Sequence, residues 1–489
     1  MRKGFLFGAI AGLAPIAVAG IRLEVASDRS DAVYRCGERA IFSVRAVDAV
    51  TGAAATDGAV RVRLDNFGEA VVVQERTIDF AKDGSAFSLT GTLGEPGFLR
   101  LRALPAGKGM TLVANAGQGE FNWAVAYEPE RIRPGAPCPD DFDAFWADAI
   151  AKYDREVPED IKLDLYPPKC TDALDFYRLS LATVGGRRLY GSLARPKDLA
   201  KGPYPLLLQV PGAGPSSVGW GQPGQVTVFM NVHTYEPLDA DGAARARRQA
   251  EEDRELARKY GVPRYAMAGI SESREAYYYY ATILGIRRAF HWAANLPEVK
   301  ATDITYDGTS QGGGFGLIMT AMCPFMKKST VFVPALTDLL GYKAGNRRSG
   351  WPRLVESQPE AGRAAAERWA PYFDGAHFAA RIRTPIAIEV GFGDVVCPPQ
   401  CGYAAYNVCP SSEKHIHHGI GQGHAVYGEF YRRLAEWRKS PAASARFISL
   451  PGGLTYEACE VEAQRATEAK SDICPAWGKR IVYRKGCKR

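Results

Sequence analysis

ATDITYDGTSQGGGFGLIMTAM, residues Ala301 to Met322, is the stretch from which the fold is read. Ile304 and Tyr306 share one face of a short strand, and Phe315, Leu317, Ile318 and Met319 give a following helix its apolar stripe. Between them lies Gly308-Thr309-Ser310-Gln311-Gly312, a G-x-S-x-G pattern with a strand before it and a helix after it. So sharp a turn leaves no room for side chains two positions either side of the serine, hence the paired glycines. It lifts the Ser310 hydroxyl out of the sheet toward the first turn of the next helix. That turn has unpaired N–H groups and a positive dipole end, which suit a developing oxyanion. The plain alternative, a Gly-rich turn with an incidental serine, does not account for the strand-turn-helix context.

A serine nucleophile needs a base and an acid that orients the base, and in α/β-hydrolases these follow in the order Ser, Asp, His. The apolar run Pro385 to Val390 ends in Gly391-Phe392-Gly393-Asp394, which puts Asp394 just past a strand's carboxyl end. Further on, Gly421-Gln422-Gly423-His424-Ala425 places His424 in a Gly-rich loop before the last helix. Competing readings exist for both. Asp394 could serve as a helix N-cap for the segment after Pro398-Pro399. His415, His417 and His418 rival His424, but they lie in or beside a strand and read as a solvated strand face rather than a metal site. Asp338, after the run Val331 to Pro334, is a weaker candidate for the acid. The oxyanion donors are predicted as the backbone N–H groups of Gln311 and of Ala213 in the loop Pro211-Gly212-Ala213-Gly214, each worth about 3 kcal/mol in the transition state.

Outward from this centre, residues from about 160 to 440 alternate strands with helices. Continuous apolar runs such as Pro205 to Val210 suit a mostly parallel sheet buried on both faces. The strand candidates are 174–183, 188–194, 204–210, 226–232, 303–306, 328–333, 385–390 and 414–419. The helix candidates are 240–260, 276–295, 312–322, 358–370, 399–408 and 425–439. Residues 20–128 read differently: short alternating strands such as Val60 to Asp65 and Leu99 to Ala103 imply a small immunoglobulin-like β-sandwich acting as a spacer or a wall of the site. A proline-rich joint (Pro129, Pro134, Pro137, Pro139) opens the α/β-hydrolase region, 129–440, and a helix from about Asp140 to Tyr153. Arg2 and Lys3, the apolar run Gly4 to Ala19 and Ala17-Val18-Ala19 mark 1–19 as a cleaved signal peptide, implying a secreted or periplasmic protein with no membrane span in the mature chain. Ten cysteines fit an oxidising compartment, with some disulfides expected; no CxxC pair and few histidines disfavour zinc. The clusters Cys397, Cys401, Cys409 and Cys459, Cys474, Cys487 are where disulfides would be sought, the latter in a Cys-containing tail, 441–489. The net charge of +7 is spread along the chain without a dense basic run, so no nucleic-acid partner is implied. The run Tyr277 to Tyr280 is better read as core packing than as a sugar-stacking platform.

From about Arg133 to Trp437 the chain resembles the acetyl xylan esterase / cephalosporin C deacetylase family, carbohydrate esterase family seven, in its long secreted form with an added N-terminal β-domain. The residues that carry the likeness are Gly308-Thr309-Ser310-Gln311-Gly312-Gly313-Gly314, the helical stretch Tyr278 to Pro297, Gly391 to Asn407 (GFGDVVCPPQCGYAAYN) and Gly423-His424. By this resemblance Ser310, Asp394 and His424 form the catalytic triad, and Trp351-Pro352 falls in a family loop near the active site. Three family signatures are altered. His-Gly-Tyr is replaced by Pro211-Gly212-Ala213, Arg-Gly-Gln by the stretch Asn231 to Tyr235, and His-Glu by His424-Ala425. Family members often form ring-like hexamers, so the resemblance allows a homo-oligomer.

The expectation is a serine esterase that removes acetyl groups from sugar hydroxyls of plant oligo- or polysaccharides, with no metal or organic cofactor. Its rivals are a serine peptidase of the prolyl-oligopeptidase type, an esterase for a larger acyl group, and a non-catalytic carbohydrate-binding protein on the same fold. The β-region is too small for a peptidase propeller.

Overall fold

The first described region is made of strands, several with alternate residues apolar: β1 (Ile21–Ser27), β2 (Val33–Tyr34), β3 (Ala40–Asp48), β4 (Ala59–Asp65), β5 (Val72–Asp79), β6 (Ala86–Gly91), β7 (Gly97–Pro105) and β8 (Phe121–Tyr127). The computed structural model describes residues 20–439 apart from 69–71, 108–109, 114–119, 238–239, 346 and 427. The predicted signal segment 1–19 and the tail 441–489 with Cys459, Cys474 and Cys487 lie outside the described residues. Strands β1, β3 and β6 form one sheet and β2-β8-β7-β4-β5 a second. Alternation sets which face is buried: Phe42 and Val44 of β3 point inward while Ser43 and Arg45 face out. The inward faces meet, with Phe42 edge-on to Trp123 at 5.7 Å and the Tyr127 hydroxyl donating across to the Gly91 carbonyl at 3.1 Å. Between β4 and β7, Arg100 donates two bonds of 2.8 Å to the buried Asp65 carboxylate.

The second region is built on a nine-stranded sheet. Its strands are β9 (Ile161–Leu165), β10 (Leu174–Ala182), β11 (Arg188–Pro196), β12 (Tyr204–Gln209), β13 (Val226–Met230), β14 (Val299–Thr309), β15 (Lys328–Phe332), β16 (Ile386–Gly391) and β17 (Lys414–Gly419), in the order β17-β16-β15-β14-β12-β13-β11-β10-β9. Pairing is parallel from β13 through β12 to β17 and antiparallel from β13 out to β9. The chain leaves β12 toward β13 on one side and returns as β14 on the other. The loops after β12 and β14 therefore open the crevice where open α/β sheets hold their ligands. Strand β14 is longer than predicted, because parallel ladders to β12 and β15 carry it through to Thr309. Edge strand β9 was not predicted; Leu163 and Leu165 stay largely exposed, so burial gives it little sequence signal.

The helices are α1 (Phe80–Asp83), α2 (Phe142–Glu156), α3 (Gly242–Tyr260), α4 (Tyr278–Ala293), α5 (Gln311–Met322), α6 (Glu360–Trp369), α7 (Gly375–Ala379), α8 (Pro399–Val408) and α9 (Gly428–Lys439). Two expectations are corrected. Helix α5 is buried on every side rather than along one stripe, since it is enclosed by β14, β15, α4 and α7. The histidines of β17 do not form a solvated face: α9 lies over two of them, with His417 stacked on Phe430 at 3.7 Å and Trp437 edge-on to His415 at 5.8 Å, and His418 on the other face packs against Phe392 at 4.9 Å. Burial there lowers the pKa of His415 and of His417 to about 4 and that of His418 to about 3. All four tyrosines from Tyr277 to Tyr280 are buried, which excludes a stacking platform.

The apolar core runs unbroken between the two regions. Phe98 of β7 packs edge-on against Phe392 at 5.0 Å and tilted against Tyr403 at 5.9 Å. The β-region thus rests on the turn after β16, where Asp394 lies.

Candidate active site

Ser310 joins β14 to α5 with φ 59° and ψ −117°, a backbone conformation that side chains rarely adopt. The surroundings enforce it. The Ser310 N–H donates to the Phe332 carbonyl at 2.9 Å, and its carbonyl accepts from Ala335 at 2.9 Å and Gly314 at 3.0 Å. A Cβ on Gly308 would come within 2.4 Å of the Gly312 oxygen, and one on Gly312 within 2.0 Å of the Val210 oxygen. Both glycines of the motif are therefore required by close backbone approach.

Asp394 and His424 reach the serine from two further loops. His424 Nδ1 lies 2.8 Å from Asp394 Oδ2, and its Nε2 lies 2.9 Å from Ser310 Oγ. A carboxylate oxygen only accepts, so Nδ1 carries the proton; in the neutral ring Nε2 is then the acceptor facing the serine hydroxyl. Asp394 is fully buried. Its other oxygen accepts from the backbone N–H groups of Val396 at 2.8 Å and Cys397 at 2.9 Å. Asp394 is not the helix N-cap of the competing reading: α8 starts at Pro399 with Pro398 at its cap, and the two N–H groups belong to the turn before it. The Asp394 turn and the His424 loop are tied together, Gly393 N–H donating to the Gln422 carbonyl at 2.8 Å and Phe392 N–H to the Gly419 carbonyl at 3.0 Å.

The β-region touches both loops. The Asn122 carbonyl of β8 is where a Cβ on Gly393 would come within 2.4 Å, and Trp123 Nε1 would be 3.0 Å from one on Gly421.

The two predicted oxyanion donors lie on adjoining segments. Gln311 is the first residue of α5, so its N–H has no partner within the helix. The loop after β12 runs beside the serine: a Cβ on Gly212 would be 3.8 Å from Ser310 Cβ, and Ala213 follows, exposed. The Gln311 side chain locks this arrangement. Its oxygen accepts from the hydroxyls of Tyr265 and Tyr279, both at 2.6 Å, and its nitrogen donates to the Pro211 carbonyl at 3.3 Å. Sequence reading singled out the Gln311 backbone as a candidate donor and missed these bonds of its side chain, because the tyrosines come from distant segments.

Asp338 stands apart from the hydrogen-bonded chain of Ser310, His424 and Asp394. It is buried against Arg347 at 3.1 Å and accepts from Gly135 N–H at 2.7 Å, while burial lifts its pKa to about 6. Among the described residues one group combines metal-type donors, Asp394, Cys397 and His424. Both His424 nitrogens are already engaged there, and burial pushes the Cys397 thiol well above its usual range. The seven described cysteines, including Cys397, Cys401 and Cys409, are free, so the disulfide expected in that cluster is not formed.

The model of the acetyl xylan esterase (AXE1) family matches residues 127–440. The chain belongs to the acetyl xylan esterase family. Family membership makes it a carboxylic ester hydrolase and supports deacetylase activity. It is 28% identical over 346 residues to the acetyl esterase Axe7A of Xylanibacter ruminicola, covering 68% of this chain and 72% of that protein. Two solved structures share the α/β-hydrolase fold. An acetyl xylan esterase from Paenibacillus sp. R4 is 22% identical with a TM-score of 0.53, covering 64% of this chain and 98% of that one. Acetyl xylan esterase 1 from Thermoanaerobacterium sp. JW/SL YS485 is 22% identical with a TM-score of 0.52, covering 64% and 96%. Among the described residues no helix is long and apolar enough to cross a membrane.

Proposed function

We propose that this esterase removes acetyl groups from the hydroxyls of plant oligo- or polysaccharides through a Ser310-His424-Asp394 acyl-enzyme mechanism. The observation that carries the reading is the unbroken hydrogen-bond chain of 2.9 Å and 2.8 Å from Ser310 Oγ through His424 to the buried Asp394. Ser310 Oγ attacks the acetyl carbonyl as His424 Nε2 takes its proton. Asp394 holds the ring and stabilises its positive charge. The N–H groups of Gln311 and Ala213 bind the tetrahedral oxyanion. Collapse expels the sugar oxygen, which takes the proton from His424 and leaves Ser310 acetylated. Water, deprotonated by His424, then releases acetate.

In this reading residues 20–128 are an immunoglobulin-like β-sandwich, 129–440 the hydrolase domain, and 1–19 a signal peptide that directs the enzyme out of the cytoplasm. Acetate release from acetylated xylo-oligosaccharides, wild type against Ser310→Ala, is the test. Loss of several orders of magnitude in the variant supports the reading. Undiminished turnover refutes the nucleophile, and cleavage of p-nitrophenyl acetate alone refutes the sugar substrate.

A further inference from the structure

The loop that carries Ala213 is held from beneath by residues of the stretch Asn231 to Tyr235, where this chain departs from the family signature. Ser217 N–H donates to the Asn231 side chain at 3.0 Å, and that side chain donates back to the Ser217 carbonyl at 2.8 Å. Ser216 N–H donates to the Tyr235 hydroxyl at 3.2 Å. Nearest to Ala213, the ring of His233 reaches the Gly214 carbonyl through Nε2 at 2.9 Å and Glu252 of α3 through Nδ1 at 2.6 Å. A carbonyl only accepts, so Nε2 carries a proton aimed at Gly214. The other Glu252 oxygen accepts from the Tyr278 hydroxyl at 2.9 Å, which fixes the carboxylate in turn. His233 and Glu252 are buried, and Tyr265, which also holds Gln311, packs on the His233 ring at 4.4 Å.

We propose that His233, oriented by Glu252, is the positioning residue for the oxyanion hole. It pins the Gly214 carbonyl and so sets where the Ala213 N–H points. The inference rests on the acyl-enzyme reading above. It concerns a bond whose value appears only when the oxyanion forms, so its loss falls on kcat and not on KM.

Two variants separate this role from simple packing. His233→Gln places an amide nitrogen near the position of Nε2 and retains the bond to Gly214. His233→Asn places one near Nδ1 and retains only the bond to Glu252. Both are assayed as purified full-length protein with p-nitrophenyl acetate, after a fluorophosphonate probe has counted reactive serines. H233N is expected to lose about 10²-fold in kcat, in the range for one oxyanion donor, with KM within threefold. H233Q is expected to stay within about tenfold of wild type. Equal kcat for the two variants, the reverse order, or a loss confined to KM overturns the proposal. Failure of the probe to label Ser310 in the wild type overturns the acyl-enzyme reading instead.

Discussion

Gly393→Ala adds a methyl group one residue before Asp394 and tests whether the β-region braces this proposed member of the triad. The new Cβ would lie 2.4 Å from the Asn122 carbonyl oxygen, 3.1 Å from its carbon and 3.1 Å from the Gln422 oxygen. Ordinary carbon contacts need about 3.5 Å, so something must move by about 1 Å. Asn122 lies inside β8, paired with Arg102 of β7, and cannot yield without breaking that ladder. The turn after β16 must yield, carrying Asp394 and, through the Gly393–Gln422 bond, the His424 loop. Displacing a catalytic group by about 1 Å costs about 10²-fold in rate. Kinetics with p-nitrophenyl acetate should therefore show kcat down by about 10²-fold with KM little changed, and circular dichroism should show a folded protein. Gly94→Ala is the control, since no atom lies within 4 Å of its added Cβ. A folded G393A enzyme with kcat within threefold of wild type would refute the brace.

The two buried aspartates should separate cleanly. Asp394→Asn removes the charge that orients His424 and should cost about 10⁴-fold in kcat. Asp338→Asn should leave kcat within a few-fold but lower the urea midpoint, because Arg347 loses its buried counter-charge; a D338N loss as large as that of D394N would make Asp338 the acid. The β17 histidines make stability acid-sensitive. Their folded pKa values lie below the usual 6.5, so their contribution is full above about pH 6.5 and is lost as the pH falls toward 4. Each contributes a slope of about 1.4 kcal/mol per pH unit in that window. His417→Gln should flatten the decline by about that amount in urea unfolding at pH 6.5, 5.5 and 4.5, and an unchanged slope would show that His417 takes up its proton equally in the folded and unfolded states.

What the sequence made legible was local. Ser310, Asp394 and His424 stand in short Gly-containing turns whose chemistry is written within five residues, and the structure brings their side chains within hydrogen-bond reach. The apolar runs of β12 and β16 marked buried strands because burial on both faces leaves no polar alternation to read. What escaped is what depends on distant chain. His415 and His417 read as solvated because α9, which covers them, is laid down by a buried cluster near its far end: Arg438 pairs with Asp307 at 3.2 Å and Lys328 donates to the Trp437 carbonyl at 2.9 Å. Nothing within β17 encodes that. The stretch Asn231 to Tyr235 registered only as an altered signature, although its histidine, asparagine and tyrosine all bond to the loop that follows Ala213. Which side chains hold that loop is decided by three-dimensional contact between segments, and the local pattern of residues does not record it.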